Sequence, residues 1–223
     1  TADGKRLDDL VVAKKPGDRW HLVELDDAPH RVRFRVRSGR VRLYGVAVER
    51  KRGLVYDSLG VVGARASRWR NVHAGHIERQ LKHRKTDLLV LNYGGNARND
   101  KVPERRYVSR YLNVIERLRP DPNEACLIIS PSDHGKRQRG KVVSDRATIR
   151  LIEWQRRVAG EAGCAFLDAR AVMGGEGAMG RWVKQGMGWK DYVHFTPKGM
   201  RKMGTAIYAA LMHGLMGHLD TTE

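Results

Sequence analysis

Long hydrophobic runs are absent from this 223-residue sequence. Because no stretch of about 18 consecutive apolar residues occurs, the sequence offers no candidate transmembrane helix. The N-terminal TADGKRLDDL also lacks the apolar segment of a signal peptide. A mature secreted chain looks the same, so this absence leaves the compartment open.

Cysteine is scarce as well, with only Cys126 and Cys164. Each lies beside an apolar run, ACLIIS or CAFLD, that is typical of a buried strand. The spacing does not fit a zinc site and no other cluster of ligands accompanies the pair, so we predict no metal and no cofactor. We favour two buried free thiols, with a disulfide between them as the alternative.

Acidic residues are in deficit, with 25 Asp and Glu against 43 Lys and Arg, a formal net charge of +18. Such a balance favours anionic partners, among them nucleic acid, acidic glycans and anionic lipid surfaces. The charge is spread along the chain, however, and no zinc-finger spacing or aromatic-plus-basic RNA motif occurs. Specific recognition of nucleic acid is therefore not predicted.

Residues 18–50 are predicted to form a β hairpin with a basic outer face. In HRVRFRVR, the apolar Val32, Phe34 and Val36 alternate with arginines, the pattern of a strand with one buried face. Ser38-Gly39 supplies a turn and RVRLYGVAVER runs back. This stretch is too short to close a β-sandwich by itself. It therefore either packs on the rest of the chain or is the remnant of a larger module.

From Gly53 onward, strand and helix patterns alternate. This alternation predicts a parallel sheet covered by helices on both faces, with the working residues at the carboxyl ends of the strands. The predicted strands are GLVYD, DLLVLNYG, ACLIIS and CAFLD, and the predicted helices span about 64–84, 104–118, 145–162 and 197–215.

One loop before the last helix combines a carboxylate, an imidazole and a helix start. Asp191 and His194 are three positions apart, so the carboxylate can accept the Nδ1 proton of the imidazole and leave Nε2 free to act as a base. Thr196 is predicted to cap the last helix and Pro197 to be its first residue. On its own the D-x-x-H spacing is common, and a solvated loop histidine is the alternative.

Two further motifs follow predicted strands: DSLG at 57–60 and GGN at 94–96. Together with D-x-x-H, in this order on an α/β frame, they resemble the SGNH (GDSL-type) hydrolases. YGVAVER, GLVYDSLGVVGARAS, DLLVLNYGGN, FLDARAVMGGEGAMGRWVKQG and DYVHFTPKGM are similar to the peptidoglycan O-acetylesterase-like branch. The resemblance implies a three-layer, flavodoxin-like parallel-sheet fold over 53–223 and makes the β-rich segment 1–52 look like the tail of a β-sandwich (jelly-roll or carbohydrate-binding-like) module.

The resemblance also implies roles for single residues. His194 would be the base, Asp191 the residue that orients it, and Asn96 an oxyanion-hole donor. The motif DSLG points to Ser58 as the nucleophile. Yet the segment between Ser58 and Asn96 holds only one helix and one strand, whereas the family places two strand–helix units between serine and asparagine.

If Gly63 is instead the oxyanion-hole glycine, the segment between Gly63 and Asn96 has the length of one helix and one strand. The family has one such unit between the glycine and the asparagine. On that interpretation Ser58 is structural, and the first strand and the nucleophile lie upstream of this sequence. The alternative is that Ser58 is the nucleophile of an abbreviated enzyme.

The function implied by the resemblance is that of a serine esterase. It would remove O-acetyl groups from an acetylated anionic polysaccharide of the cell wall or surface, such as peptidoglycan, outside the cytoplasm. The alternatives are a non-catalytic glycan-binding pseudo-hydrolase and a basic protein that binds anions or nucleic acid.

Overall fold

The structure, a computed structural model, describes residues 1–7, 9 and 17–220, with side chains up to residue 214. The chain divides into two compact units, Thr1–Leu59 and Gly60–Glu223. The sequence pattern predicts this boundary slightly earlier, between 52 and 53.

The first unit does not show the predicted hairpin. Within 18–50 the described backbone forms no strand, and Val32 makes only an isolated bridge to Ala2. Phe34 and Val36, which should face a core, are each 59% exposed. A two-stranded hairpin is marginal by itself, and alternation produces a strand only where an apolar surface covers one face. The origin of this unit in a larger β module stays a prediction.

The second unit alternates helices and strands. Its helices are α1 (Ala74–Arg84), α2 (Glu104–Leu118), α3 (Arg146–Ala162), α4 (Ala169–Val172), α5 (Ala178–Lys184) and α6 (Pro197–Asp220). Its strands are β1 (Leu88–Leu91), β2 (Ala125–Ile129), β3 (Gly135–Gln138), β4 (Lys141–Ser144) and β5 (Ala165–Leu167), and 3-10 helices span Ala66–Asn71 and Gly95–Ala97. No helix of the described residues is both long and apolar enough to cross a membrane.

A parallel sheet lies at the centre of this unit, with strand order β1-β2-β5. Successive residues of β2 face opposite sides: Cys126 and Ile128 belong to one hydrophobic cluster, and Leu127 and Ile129 to another. The first cluster is built with α1, α2 and α3, and the second with α4, α5 and α6. The predicted three-layer α/β fold is thus confirmed.

The predicted strand GLVYD is not formed. Leu54 and Tyr56 are 92% and 80% exposed, and no strand of the described chain borders the free side of β1. An extended segment becomes a strand only by hydrogen bonding to a neighbour, so an apolar run without one remains irregular.

The predicted helix 64–84 is divided by a break at Val72 and His73. The Arg117 guanidinium of α2 donates a hydrogen bond to the Val72 carbonyl, and the Trp69 indole donates to the Tyr93 hydroxyl (2.9 Å). These contacts to more distant parts of the chain take the place of intrahelical hydrogen bonds.

The antiparallel hairpin β3–β4 was not predicted. Its turn residues Arg139 and Gly140 both have positive φ, 48° and 76°, as two-residue hairpin turns require. The Gly at the second position was the available signal, but the strands GKRQ and KVVS lack a clear alternation of apolar and polar residues.

The favoured interpretation of two free thiols was wrong, because Cys126 and Cys164 form a disulfide. Leu127 of β2 pairs with Ala165 of β5, so the preceding residues on both strands are the two cysteines. Tertiary register, which composition does not reveal, brings the sulfurs together.

Candidate active site

The loop between α5 and α6 holds the predicted dyad in a defined geometry. His194 Nδ1 lies 2.7 Å from Asp191 Oδ2, and Asp191 Oδ1 accepts hydrogen bonds from the amides of Val193 (2.9 Å) and His194 (3.1 Å). The hydrogen bond with His194, supported by those amides, lowers the pKa of Asp191 from 3.8 to about 2. An ionised Asp191 keeps a proton on Nδ1, which leaves Nε2 as a base on a side chain that is 73% exposed.

Backbone contacts on both sides hold this loop. Trp189 N donates to His194 O (2.9 Å), and Gly135 N at the start of β3 donates to Tyr192 O (2.8 Å). Tyr192 has a positive φ of 60°, a conformation that a residue of this type rarely adopts without support. The hairpin β3–β4 therefore has a function in the site, because it supports the turn between Asp191 and His194.

Helix α6 begins immediately after the dyad. Thr196 Oγ1 accepts from Gly199 N (3.3 Å), so the predicted cap is present, and Thr196 Oγ1 also donates to Gly186 O (2.7 Å). A Cβ on Gly199 would lie 2.0 Å from the Met187 carbonyl oxygen. The glycine allows the first turn of α6 to approach the chain that leads into the dyad loop.

The GGN motif forms a tight turn after β1. Gly94 has φ 135°, and a Cβ there would lie 2.5 Å from Pro131 Cγ and 2.6 Å from Gln155 Nε2. Gln155 Nε2 also donates to Tyr93 O (2.6 Å). Packing from β2 and α3 thus fixes the turn that presents Asn96.

The two predicted oxyanion-hole elements lie side by side. Asn96 Nδ2 donates to the carbonyl of Ala64 (3.4 Å), the residue after Gly63, and Gly63 has φ +73°. The Arg65 guanidinium makes a two-pronged ion pair with Asp100, with its shortest contacts at 2.8 Å. The Gly63 loop and the Asn96 loop are therefore tied together, although α1 and β1 lie between them in the sequence.

His134 lies in the loop between β2 and β3, and the D-x-x-H, DSLG and GGN motifs assign it no role. It is 5% exposed, and a Cβ on Gly95 would lie 3.4 Å from its Cε1. Its Nδ1 contacts Thr148 Oγ1 at 3.1 Å. Burial, together with the charge of Arg98, lowers the pKa of His134 from 6.5 to about 4, and the charges of His194 and Asp191 also act on it. His134 thus packs against the backbone of the GGN turn.

Ser58 does not share the unit of these residues. It is exposed and belongs to the unit Thr1–Leu59, whereas Gly63, Asn96, Asp191 and His194 all belong to the unit Gly60–Glu223. Among the described residues, no group of three or more His, Cys, Asp or Glu could hold a metal ion.

The low pKa of His134 predicts a loss of stability in mild acid. The unfolded chain binds a proton at this residue below pH 6.5 and the folded chain only below about 4. The free energy of unfolding should therefore fall as the pH drops from 6.5 to 4, by up to about 3 kcal/mol from this group. Urea denaturation at several pH values checks this.

In His134→Gln the same pH series should be flatter, since that side chain does not titrate. His213→Gln, a change at an exposed histidine of α6, serves as the matched control and should follow the unmodified protein. Equal slopes for all three proteins would contradict a buried neutral His134.

The model of the GDSL-like lipase/acylhydrolase family matches residues 32–202. A solved peptidoglycan O-acetylesterase is 26% identical with a TM-score of 0.64, over 70% of this chain and 45% of that chain. This chain therefore spans less than half the length of that relative. An acetyl xylan esterase structure matches with 18% identity and a TM-score of 0.51, over 68% of this chain and 78% of that one, which shows a shared fold. Comparison with curated protein sequences finds no match.

Proposed function

Because the chain belongs to the GDSL-like lipase/acylhydrolase family, we propose that it is a serine esterase domain that removes O-acetyl groups from a polysaccharide. The observation that carries this proposal is the 2.7 Å contact between His194 Nδ1 and Asp191 Oδ2, which leaves Nε2 exposed. The adjacency of the Gly63 and Asn96 loops supports it, since an acyl transfer needs both a base and donors for an oxyanion.

The proposed steps follow from these positions. His194 Nε2 takes the proton of a serine hydroxyl as the serine oxygen attacks the ester carbonyl carbon, and the Gly63 amide and Asn96 Nδ2 donate to the oxyanion. The protonated imidazole then gives its proton to the departing sugar oxygen. Water, deprotonated by His194, attacks the carbonyl carbon of the acetyl-serine, and the imidazolium returns that proton to the serine oxygen as acetate leaves. Asp191 stabilises the imidazolium in both halves.

We place the nucleophile on a strand that pairs with the free edge of β1. Leu88 and Val90 of β1 are 38% and 39% exposed, and no strand of the described chain lies beyond them. The carboxyl end of a strand along this edge would come next to the Asn96 turn, which follows β1 directly. In this arrangement Ser58 has a structural role.

The substrate that we propose is an acetylated anionic polysaccharide of the cell wall or surface, peptidoglycan included. The net charge of +18 suits an anionic polymer, and the solved relative with the higher TM-score is a peptidoglycan O-acetylesterase. The disulfide Cys126–Cys164 supports a location outside the cytoplasm, since such bonds persist in oxidising compartments.

A fluorophosphonate probe that labels reactive serines, mapped by mass spectrometry, tests the proposal. We expect one labelled serine other than Ser58 in the full-length protein, and no label after His194→Ala. Label on Ser58 that depends on His194 would refute our placement of the nucleophile but not the esterase. No label in the full-length protein, combined with retained glycan binding, would favour the pseudo-hydrolase instead.

A further inference from the structure

An open depression of about 420 Å³ lies on the α2 side of the second unit. Its lining is polar and carries three guanidinium groups. The lining residues are Arg70, Arg106, Ser109, Arg110 and Asn113. None of them belongs to the site described above.

The geometry of α2 explains how the lining side chains converge. Ser109 and Arg110 lie three and four positions after Arg106, and Asn113 lies four and three positions after them, which places all four on one stripe of the helix. The opposite stripe, which includes Val108 and Tyr111, is buried. Arg70 comes from the last turn of the 3-10 helix Ala66–Asn71, which packs on α2.

The three arginines lack acidic partners in the part of the chain that the structure describes. No carboxylate lines the depression, and the ion pairs between described residues involve other arginines, such as Arg65 with Asp100. Like charges that are close together repel, so an anion that joins the exposed Arg70, Arg106 and Arg110 is favoured.

We propose that this depression binds the oxyanion groups of an anionic polysaccharide, at a distance from the dyad. A guanidinium presents a planar fork of donors that matches a carboxylate or a phosphodiester, and Ser109 and Asn113 add neutral donors. Arg106 to Asn113 extends about 10 Å along the helix, enough for neighbouring charged units of a polymer. Among the described residues no aromatic side chain lines the depression, so these residues offer no ring on which nucleic-acid bases could stack.

This binding site would add a polymer-holding surface to the proposed esterase. The inference rests on the proposed function only for the kind of polymer that is bound. Helix α2 starts at Glu104, shortly after Asn96. A polysaccharide held along α2 therefore leads toward the Asn96 turn. In this arrangement the depression retains the polysaccharide while acetyl groups reach the dyad.

The experiment measures affinity by calorimetry in about 100 mM salt, with polygalacturonate as the carboxylate polymer and polyglycerol phosphate as the phosphodiester polymer. The variant R106Q/R110Q is expected to lose at least tenfold in affinity for one of them, which identifies the group bound. R70Q alone should lower the affinity for the same polymer several-fold, because the Arg70 guanidinium reaches the depression from another element. Neutral dextran serves as the uncharged polymer.

The matched control is R105Q/R201Q, which removes the same two charges at exposed arginines outside the depression. Its affinity should change by less than about threefold. Equal losses in the two double variants would overturn the proposal, because diffuse charge would then explain binding. Equal affinity for single-stranded DNA, lost in the same variants, would also overturn it.

Failure of this site can be separated from failure of the esterase. Hydrolysis of uncharged p-nitrophenyl acetate should be the same in R106Q/R110Q and the unmodified protein. If R106Q/R110Q keeps its polymer affinity and hydrolysis still depends on His194, only the proposed binding role of the depression is rejected. Loss of polymer affinity without any hydrolysis would reject the esterase alone.

Discussion

Replacing His194 by alanine is expected to lower kcat/KM for acetate release by about 10³-fold or more in the full-length protein. The imidazole is the only group of the dyad that can accept the serine proton, because the Asp191 carboxylate is engaged by Nδ1 and two backbone amides. With a pKa of about 2, Asp191 is also too weak a base near neutral pH to replace it. Acetate release from O-acetylated peptidoglycan, before and after chemical removal of the acetyl groups, provides the measurement.

The fold should survive this change, since His194 is 73% exposed and its loop is held by backbone contacts. His213→Ala removes an exposed imidazole from α6 and is the matched control, with activity expected within about twofold of the unmodified protein. Asp191→Asn should keep the backbone contacts of the loop but disturb the tautomer of His194, and so lose activity. A His194→Ala variant that retains more than a tenth of the activity would refute its role as the base.

The dyad could be predicted from the sequence because every interaction that defines it is local. Asp191 and His194 are three positions apart, and Thr196 and Pro197 mark the start of α6 by their own chemistry. The support of the loop by β3–β4 could not be predicted in this way. Gly135 and Tyr192 are far apart in the sequence and are joined by one backbone hydrogen bond, which no pattern of side chains predicts.

The loops that carry Gly63 and Asn96 show the same limit. The glycines of GGN indicate a tight turn, but the approach of Asn96 to Ala64 and of Arg65 to Asp100 depends on the crossover through α1 and β1. Only the family resemblance placed Gly63 beside Asn96. The burial of His134 could not be predicted for a related reason, since its contacts with Gly95 and Thr148 are a property of the folded sheet edge.

The strand predictions failed for segments that have no neighbouring strand among the described residues. Alternation at Val32, Phe34 and Val36 and the apolar run GLVYD both describe segments suited to a sheet. A strand needs a neighbouring strand to complete its hydrogen bonds, and the apolar face of a sheet needs other apolar residues packed against it. DLLVL and ACLII contain strands because β1 and β2 pair with each other and lie between two layers of helices.

Removal of the disulfide is the second large effect that we expect. The bond closes a loop between residues that are 38 apart in sequence, for which chain entropy predicts a stabilisation of about 3–4 kcal/mol. Leu127 and Ala165, the residues that follow the two cysteines, are paired on neighbouring strands, so the sheet itself brings the cysteines together. The variant C126A/C164A should therefore lose about that free energy of unfolding in urea denaturation. The unmodified protein with reductant should lose a similar amount, which separates the cross-link from the packing of the two side chains.

Loss of the bond should leave the chemistry nearly unchanged. Cys126 and Cys164 lie at the amino ends of β2 and β5, whereas the Asn96 turn follows the carboxyl end of β1, which runs parallel to them. At about 25 °C, kcat/KM of C126A/C164A should stay within about twofold of the unmodified protein, while the midpoint of unfolding falls. Titration of thiols in the urea-unfolded, unreduced protein should find none. Two reactive thiols there would mean that the cysteines are free, and the stability of the sheet would then rest on packing and hydrogen bonds alone.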